Sequence, residues 1–496
     1  MTVVSAFALA GALATGTFAF SPSLSAIKSV REPRLFRMSA STARAETKAV
    51  VVGGGPAGAL MAIYLAKDRG FKVDLFEKLE EAGISGPTVR SWNVVLFERG
   101  SAAMEGAGLD IHSEAGKLAM RLTGSQRHHV NKSSSSFDGT TSICRGDFAK
   151  ALMDKAAGLP NVDVHCGCSL QTLDVNNSVA IFERGNGESV EVGYDMLVGA
   201  DGVNSRVRST LEELIPDFTV RQREDHMAFK TIPIPIMSMT GAEEGWRTKF
   251  HSINSKIGCL LAPARWDGMM TAVVILPREG PTSFESFMKT PQDVRDFFVK
   301  WYPNVFGPDG PSEGVSKDFL QRRPQFLKST YCSHLVHDNV VLIGDAAHSM
   351  WASLGQGVNA ALEDCQVLAQ VINAAREREP QTPLDVATAL KAYNERRLAD
   401  ATAVCRISEM GMGSARSLRP AFIAQLLVIS LLNKTLGRLA PKIFTPPSIM
   451  GISGNKFTYS EILRGMKRET RILWGISVGV FAPILASVAR RTILRI

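Results

Sequence analysis

The chain has 496 residues, 45% of them hydrophobic and 21% charged, enough to bury a large core and to divide into two or three domains. Its formal net charge is +8, but the excess Lys and Arg lie largely at the two ends, and no basic face interleaved with aromatics runs through the body, which excludes nucleic acid as a partner. Seven cysteines without paired spacing exclude a disulfide framework, and the close pair Cys166 and Cys168 alternates as in a strand, so no metal site is expected there.

In chain order, residues 1–46 read as a presequence outside the fold. An uncharged stretch from Met1 to Ile27 contains an apolar run, Val3 to Ala14, of signal-peptide length, and Lys28, Arg31, Arg34, Arg37 and Arg44 follow among Ser, Thr and Ala. This order resembles the bipartite presequence of algae with plastids of secondary origin, with Phe18 as the first residue of the transit part. A plain transit peptide or a mitochondrial presequence is the alternative, the latter with a mitochondrial outer-membrane location.

Next, "KAVVVGGGPAGALMAIYLAKDRGFKVDLFEK" gives a short β-branched run, glycines at 53, 55 and 58, a helix and a second strand ending at Glu77. Gly53 permits the tight turn, Gly55 lets a pyrophosphate approach the backbone, and Gly58 lets helix and strand pack. The phosphates belong at the helix N-terminus, beside Pro56 and Ala57, where free N–H groups and the dipole favour negative charge. Glu77 falls where a carboxylate accepts hydrogen bonds from a ribose diol, which favours FAD or NAD over NADP at this loop.

Two later segments are strand-to-loop units: "YDMLVGADGVNSRVRS", with Asp201, and "VVLIGDAAHSMWASLGQGVNAALEDC", with Asp345. Read alone, both are ordinary turns whose Asp residues cap helices. Read with the first loop, they resemble the second and third fingerprints of the class A FAD-dependent aromatic monooxygenases. That resemblance implies FAD as cofactor, NADPH or NADH as co-substrate, O2 as oxidant, and hydroxylation of an aromatic or conjugated small molecule through a flavin C4a-hydroperoxide. It also implies an α/β fold, a glutathione-reductase-like (Rossmann-type) FAD domain with an inserted β-rich substrate domain and a helical C-terminal region. Asp345 is then placed at the ribityl chain, and Gly355, Gly357, Val358 and Asn359 at the isoalloxazine ring. His348 in the same loop is read as structural.

Within that class, "VRSWNVVLFERG", "SICRGDFAKALMDKAAGLPNVDVH" and "DVRDFFVKWYPN" are similar to the kynurenine 3-monooxygenases, from Lys48 to about Val488. The similarity implies FAD contacts for Arg90 and Arg145, with Leu170 on the adenosine side. Kynurenine's carboxylate is satisfied in that family by an arginine, tyrosines and an asparagine, because a stranded buried charge is costly. Here the arginine position falls on Arg121, with Arg127 its rival, and the others on Phe137, Met410 and Ser448, which cannot repeat those hydrogen bonds. The expectation is a substrate other than kynurenine, such as a more apolar quinone, tetrapyrrole or carotenoid precursor. Ala352 also replaces the family's usual proline.

The boundaries that follow are an FAD-binding domain at 47–215 and 331–397, a substrate domain at 216–330, a helical region at 398–470 and a tail at 471–496. The tail holds an uncharged run, Ile472 to Ala489, between Arg471 and Arg490. As a helix it is roughly 27 Å long, close to the ~30 Å hydrocarbon core, and is expected to anchor the protein in a membrane. A buried or surface-lying helix is the other reading. The competing functions are an epoxidase or reductase of isoprenoids and a membrane-tethered flavoprotein without turnover.

Overall fold

A computed structural model describes residues 46–67, 70–81, 92–128, 132–135, 137–410, 435, 451–472 and 475. Its centre is a six-stranded sheet in the order Val336–His337, Val340–Leu342, Met196–Gly199, Thr47–Val52, Phe71–Glu77 and Val162–Cys166. All neighbours run parallel except the first pair. Strands buried on both faces read as continuous apolar runs, and Ala49, Val50, Val51, Met196, Leu197, Val198, Val340, Val341 and Leu342 are all fully buried. The helices Pro56–Lys67 and Gly357–Arg378 pack against each other beside this sheet. Parallel strands end at one edge of the sheet, so the loops after Val52, Gly199 and Leu342 gather there, which is where ligands bind in open α/β folds.

A seven-stranded sheet forms the second layer, in the order Gln325–Cys332, Val220–Pro235, Met269–Pro277, Cys259–Pro263, Phe250–Asn254, Ser125–Arg127 and Lys132–Ser134. The substrate domain is therefore not confined to 216–330. The hairpin 125–134 belongs to it, because the chain leaving the strand Met120–Arg121 continues straight into this sheet and pairs in parallel with Phe250–Asn254.

The sheet's two faces differ. Alternation places Ile232, Ile234, Leu260, Ala262, Ala272, Val274 and Leu276 on one face, all fully buried in one core with Phe297, Phe298 and Phe319 of the helices Pro291–Trp301 and Glu313–Gln321. The other face carries Leu261, Val273 and Ile275, only half-buried, and looks toward the FAD domain. Phe229 there meets Trp92 edge-on at 5.4 Å.

The helix Val386–Ser408 crosses the 397/398 boundary expected from the sequence without a break. Residues 459–472 are helical, and Tyr459, Ile462 and Leu463 pack in a third cluster with Val404 and Ile407. Among the described residues no helix is long and apolar enough to cross a membrane. The presequence up to residue 45 and most of the apolar tail lie outside the described residues.

Candidate active site

Gly53 has φ +109°, and a Cβ there would meet the backbone of Ala200 and Asp201; a Cβ on Gly58 would run into the carbonyl of Gly53. Both positions therefore require glycine for the turn and the close packing. A Cβ on Gly55 would meet nothing within 4 Å. Open space over a helix N-terminus with no acidic residue in its first turn, beside Pro56 and Ala57, fits a dinucleotide's pyrophosphate.

Glu77 accepts from Gly54 N at 2.6 Å and from Leu79 N at 3.0 Å. These bonds fix the carboxylate at the strand end and leave each oxygen a second lone pair for a ribose. Leu170 pairs with Phe182, whose ring stacks at 3.8 Å on Phe76, next to Glu77. Leu170 is thus linked through Phe182 to Phe76, the residue before Glu77.

The Gly-Asp loop is built the same way. In the run from Val340 to Trp351, Asp345 alone is exposed, and its carboxylate takes no hydrogen bond from the described protein. Gly355 is left-handed at φ +65°, and a Cβ on Gly357, the first residue of its helix, would meet nothing within 4 Å. That helix also lacks an acidic residue in its first turn, so negative charge on a ring lying there is favoured. Asn359 is fully buried and commits its side chain to Phe97 N at 2.8 Å, Val95 O and Gly355 O, both at 3.0 Å. Its contact with a cofactor is left to the backbone; Val358 beside it is half-buried against the first core. These cradles together fit FAD.

Asp201 takes the helix-capping part that its place in the sequence also allowed. Its carboxylate accepts from Ser205 Oγ at 2.5 Å, Arg206 N at 2.6 Å and Val207 N at 3.2 Å, which closes the start of the helix Arg206–Leu214. Burial pushes its pKa up against those three bonds. Arg145 opens the helix Arg145–Ala157, exposed, with its guanidinium 5.9 Å from the Trp92 ring at the seam between the domains. Arg90 and Ser448 lie outside the described residues.

On the substrate side, Phe137 stacks on Phe250 at 4.2 Å and tilts against Phe97 at 5.7 Å. A Cβ on Gly355 would come within 3.5 Å of Phe97, so this aromatic series runs from the Gly355 turn onto the half-buried face of the substrate sheet. Phe137 holds φ +72°, a strained conformation for a bulky residue that the surrounding packing must impose. Arg121 is exposed on the strand paired with Thr141–Cys144. Met410 is half-buried against the third cluster, as is Leu354 of the turn before Gly355, and Ser353 Oγ donates to Ser408 O. Ala352 begins the short 3-10 turn Ala352–Leu354, which forms without proline.

The sequence did not reveal what holds these loops together. Asp364, fully buried, accepts Gly344 N at 2.7 Å, His348 Nε2 at 2.6 Å and Arg397 Nε at 2.6 Å. Burial alone would raise Asp364, but His348 and Arg397 hold it low; burial likewise opposes the Arg397 charge, and Glu363 and Asp364 hold its pKa well above normal. Glu363 bridges Arg397 to Arg99, which also holds the carbonyls of Gly454 and Phe457. Tyr459 lies 4.2 Å under Arg99 and donates to Gln356 Oε1 at 3.0 Å. His348 is thus structural as expected, and the Glu363-Asp364 pair on an apolar helix was the available sign.

Residues 46–408 match a family described as FAD binding domain. A kynurenine 3-monooxygenase of Salinispora arenicola is 28% identical, covering 88% of this chain and 94% of the relative. One of Drosophila willistoni is also 28% identical, with 87% and 92% covered. Among solved structures, tetrameric 2-methyl-3-hydroxypyridine-5-carboxylic acid oxygenase superposes with a TM-score of 0.58 at 22% identity, covering 73% of this chain and 90% of that one. Klebsiella pneumoniae HpxO complexed with FAD and uric acid gives 0.57 at 18%, with 82% and 97% covered.

Proposed function

The chain belongs to the FAD-binding domain family of flavin-dependent monooxygenases, and from that premise we propose that it hydroxylates an aromatic or conjugated small molecule other than kynurenine. Substrate, O2, NAD(P)H and a proton become hydroxylated product, NAD(P)+ and water. Bound FAD supplies the electron transfer and oxygen activation. The residues described here do the rest: the Gly53 to Gly58 turn and Glu77 hold the adenosine diphosphate end, Asp345 faces the ribityl chain, and the 355–359 backbone seats the ring. Phe97 and Phe137 orient the substrate beside the ring and keep water away from it, which spares the activated oxygen from being wasted as H2O2.

The observation that carries the choice of substrate is the Phe97, Phe137 and Phe250 series where a hydroxyl partner was expected. A wall of ring faces binds a planar apolar body and offers no hydrogen-bond donor to a carboxylate. Kynurenine is the second reading, favoured by the relatives' names and by the free guanidinium of Arg121. The test is anaerobic loss of the visible flavin band on adding NADPH or NADH, with and without kynurenine. Loss of colour indifferent to kynurenine supports the proposal; strong acceleration by kynurenine, with hydroxylated product, overturns it. A purified chain without colour removes the flavoenzyme reading altogether.

Location is proposed from the sequence: a plastid, with the tail from 471 to 496 as a membrane anchor. Residues 1–46 fused to a fluorescent protein should enter the plastid of an alga with secondary plastids, and mitochondrial fluorescence would count against this.

A further inference from the structure

The last described segment of the chain reaches back to the Gly355 turn through Tyr459. Thr458 and Glu461 form a capping box: Thr458 N donates to Glu461 Oε2 at 2.8 Å, and Glu461 N to Thr458 Oγ1 at 3.3 Å. The box fixes the start of the helix 459–472, so Tyr459, Ile462, Leu463 and Met466, at i, i+3, i+4 and i+7, share its inward face. Tyr459 is fully buried, with the Arg99 guanidinium 4.2 Å from its ring centre. Further ties clamp the segment around it. Arg99 donates to Gly454 O at 3.1 Å and Phe457 O at 2.7 Å, Asn455 N donates to Glu98 at 3.4 Å, and Ser460 N to Asp400 at 2.8 Å.

The turn that Tyr459 reaches has little of its own to hold it. Gln356 stands between Gly355, left-handed at φ +65°, and Gly357, so it is the one side chain of that stretch. Glycines leave the backbone many conformations, and Gln356 opens the helix Gly357–Arg378 without a side-chain bond that caps it. Gln356 is 2% exposed; its Nε2 is 3.4 Å from Leu354 O, and its Oε1 accepts from Tyr459 Oη at 3.0 Å. Burial pushes the pKa of the Tyr459 hydroxyl up, so the hydroxyl keeps its proton and stays a donor. A bond between residues 103 apart in sequence thus holds a turn that its own glycines leave loose.

We infer that Tyr459 is a positioning residue for the flavin: by holding Gln356 it fixes the Gly355 to Gly357 backbone, and the segment 454–460 thereby completes the seat of the ring. This inference rests on the monooxygenase reading, in which that backbone carries the ring, and deepens it. Tyr459 acts through Gln356 and not by contact with the cofactor. Without its hydroxyl, Gln356 Oε1 becomes a buried acceptor with no partner, and the turn shifts to hydrate it. The start of the helix Gly357–Arg378 moves with the turn, and with it the N–H groups that favour negative charge on the ring.

The test uses the full chain and reads two quantities besides turnover: the dissociation constant of FAD, from quenching of its fluorescence, and the midpoint potential of the bound flavin. Tyr459→Phe keeps the buried ring and removes the bond. It should weaken FAD ~3- to 10-fold, the loss of one buried hydrogen bond, and lower the potential, because the loosened helix start favours the reduced, more negative ring less. Gln356→Met should do the same, and the double variant no more than either. Thr458→Ala removes a helix cap away from the turn; it should lower the melting temperature and leave both flavin quantities at their wild-type values. Tyr459→Phe with a lower melting temperature but unchanged FAD affinity and potential would make the tyrosine merely structural and overturn the inference. Additive effects in the double variant would overturn it too, as would the same flavin changes in Thr458→Ala. If Tyr459→Phe does not fold, Gln356→Met decides: wild-type values there overturn the inference, and weaker FAD with a lower potential upholds it. A wild type that holds flavin beside unaffected variants sinks only the positioning role; a wild type that holds none sinks the monooxygenase reading.

Discussion

Lys230 and Arg127 are cations of nearly equal burial, 5% and 4% exposed, on opposite faces of one sheet. Lys230 Nζ donates to the carbonyls of Phe319 at 3.0 Å and Leu320 at 3.3 Å, near the C-terminus of the helix Glu313–Gln321, where cations are favoured. Arg127 Nε and Nη2 have no such partner among the described residues. The helix-covered face is a closed core, and the FAD-facing side leaves Leu261, Val273 and Ile275 only half-buried. That contrast yields three stability measurements.

The largest effect is expected in the aromatic cluster. Phe298→Ala on the covered side should cost about 3–5 kcal/mol in urea unfolding of the holoprotein, the usual cost of a cavity. Ile275→Ala on the half-buried side should cost only about 1 kcal/mol while changing substrate KM. Similar losses for the two variants would mean that the FAD-facing side is also a closed core.

His251 comes next. Burial pushes its pKa down from 6.5 to about 4, and with Nε2–H donating to Trp246 O, its Nδ1 accepts from His128. A folded pKa below the unfolded one gives stability that is present above about pH 6.5 and is lost as pH falls through about 4, roughly 3 kcal/mol in all. His251→Gln should flatten that acid limb; an unchanged limb would place the loss elsewhere.

How much of this was legible depended on how local each cause is. The demands on Gly53 and Gly58 arise within a single turn, so spacing alone located the dinucleotide loop. Asp201 was ambiguous because a carboxylate before a helix looks the same whether it caps the helix or faces a cofactor, and the capping shows only in the bonds to Ser205, Arg206 and Val207. The hairpin 125–134 was missed because its strands are three residues long and mostly polar, with no alternation to read. The junction of Asp364 and Arg397, 33 residues apart on two helices, depends on how those helices cross, which periodicity does not encode.

The smallest effect returns to the two cations. Burial, and then the nearby charge of Arg322, lowers Lys230 from 10.5 to about 8. Between those values the unfolded chain binds more protons than the folded one, so stability rises with pH through that window and is lost as pH falls through about 8. Solvent screening reduces the full linkage to about 1 kcal/mol. The wild type should therefore gain that much on Lys230→Met between about pH 8 and pH 10. Arg127 remains charged across this range, so Arg127→Met should differ from the wild type by an offset independent of pH. If both differences slope alike, Arg127 is coupled to a titrating group of the fold, and the asymmetry between the faces does not hold.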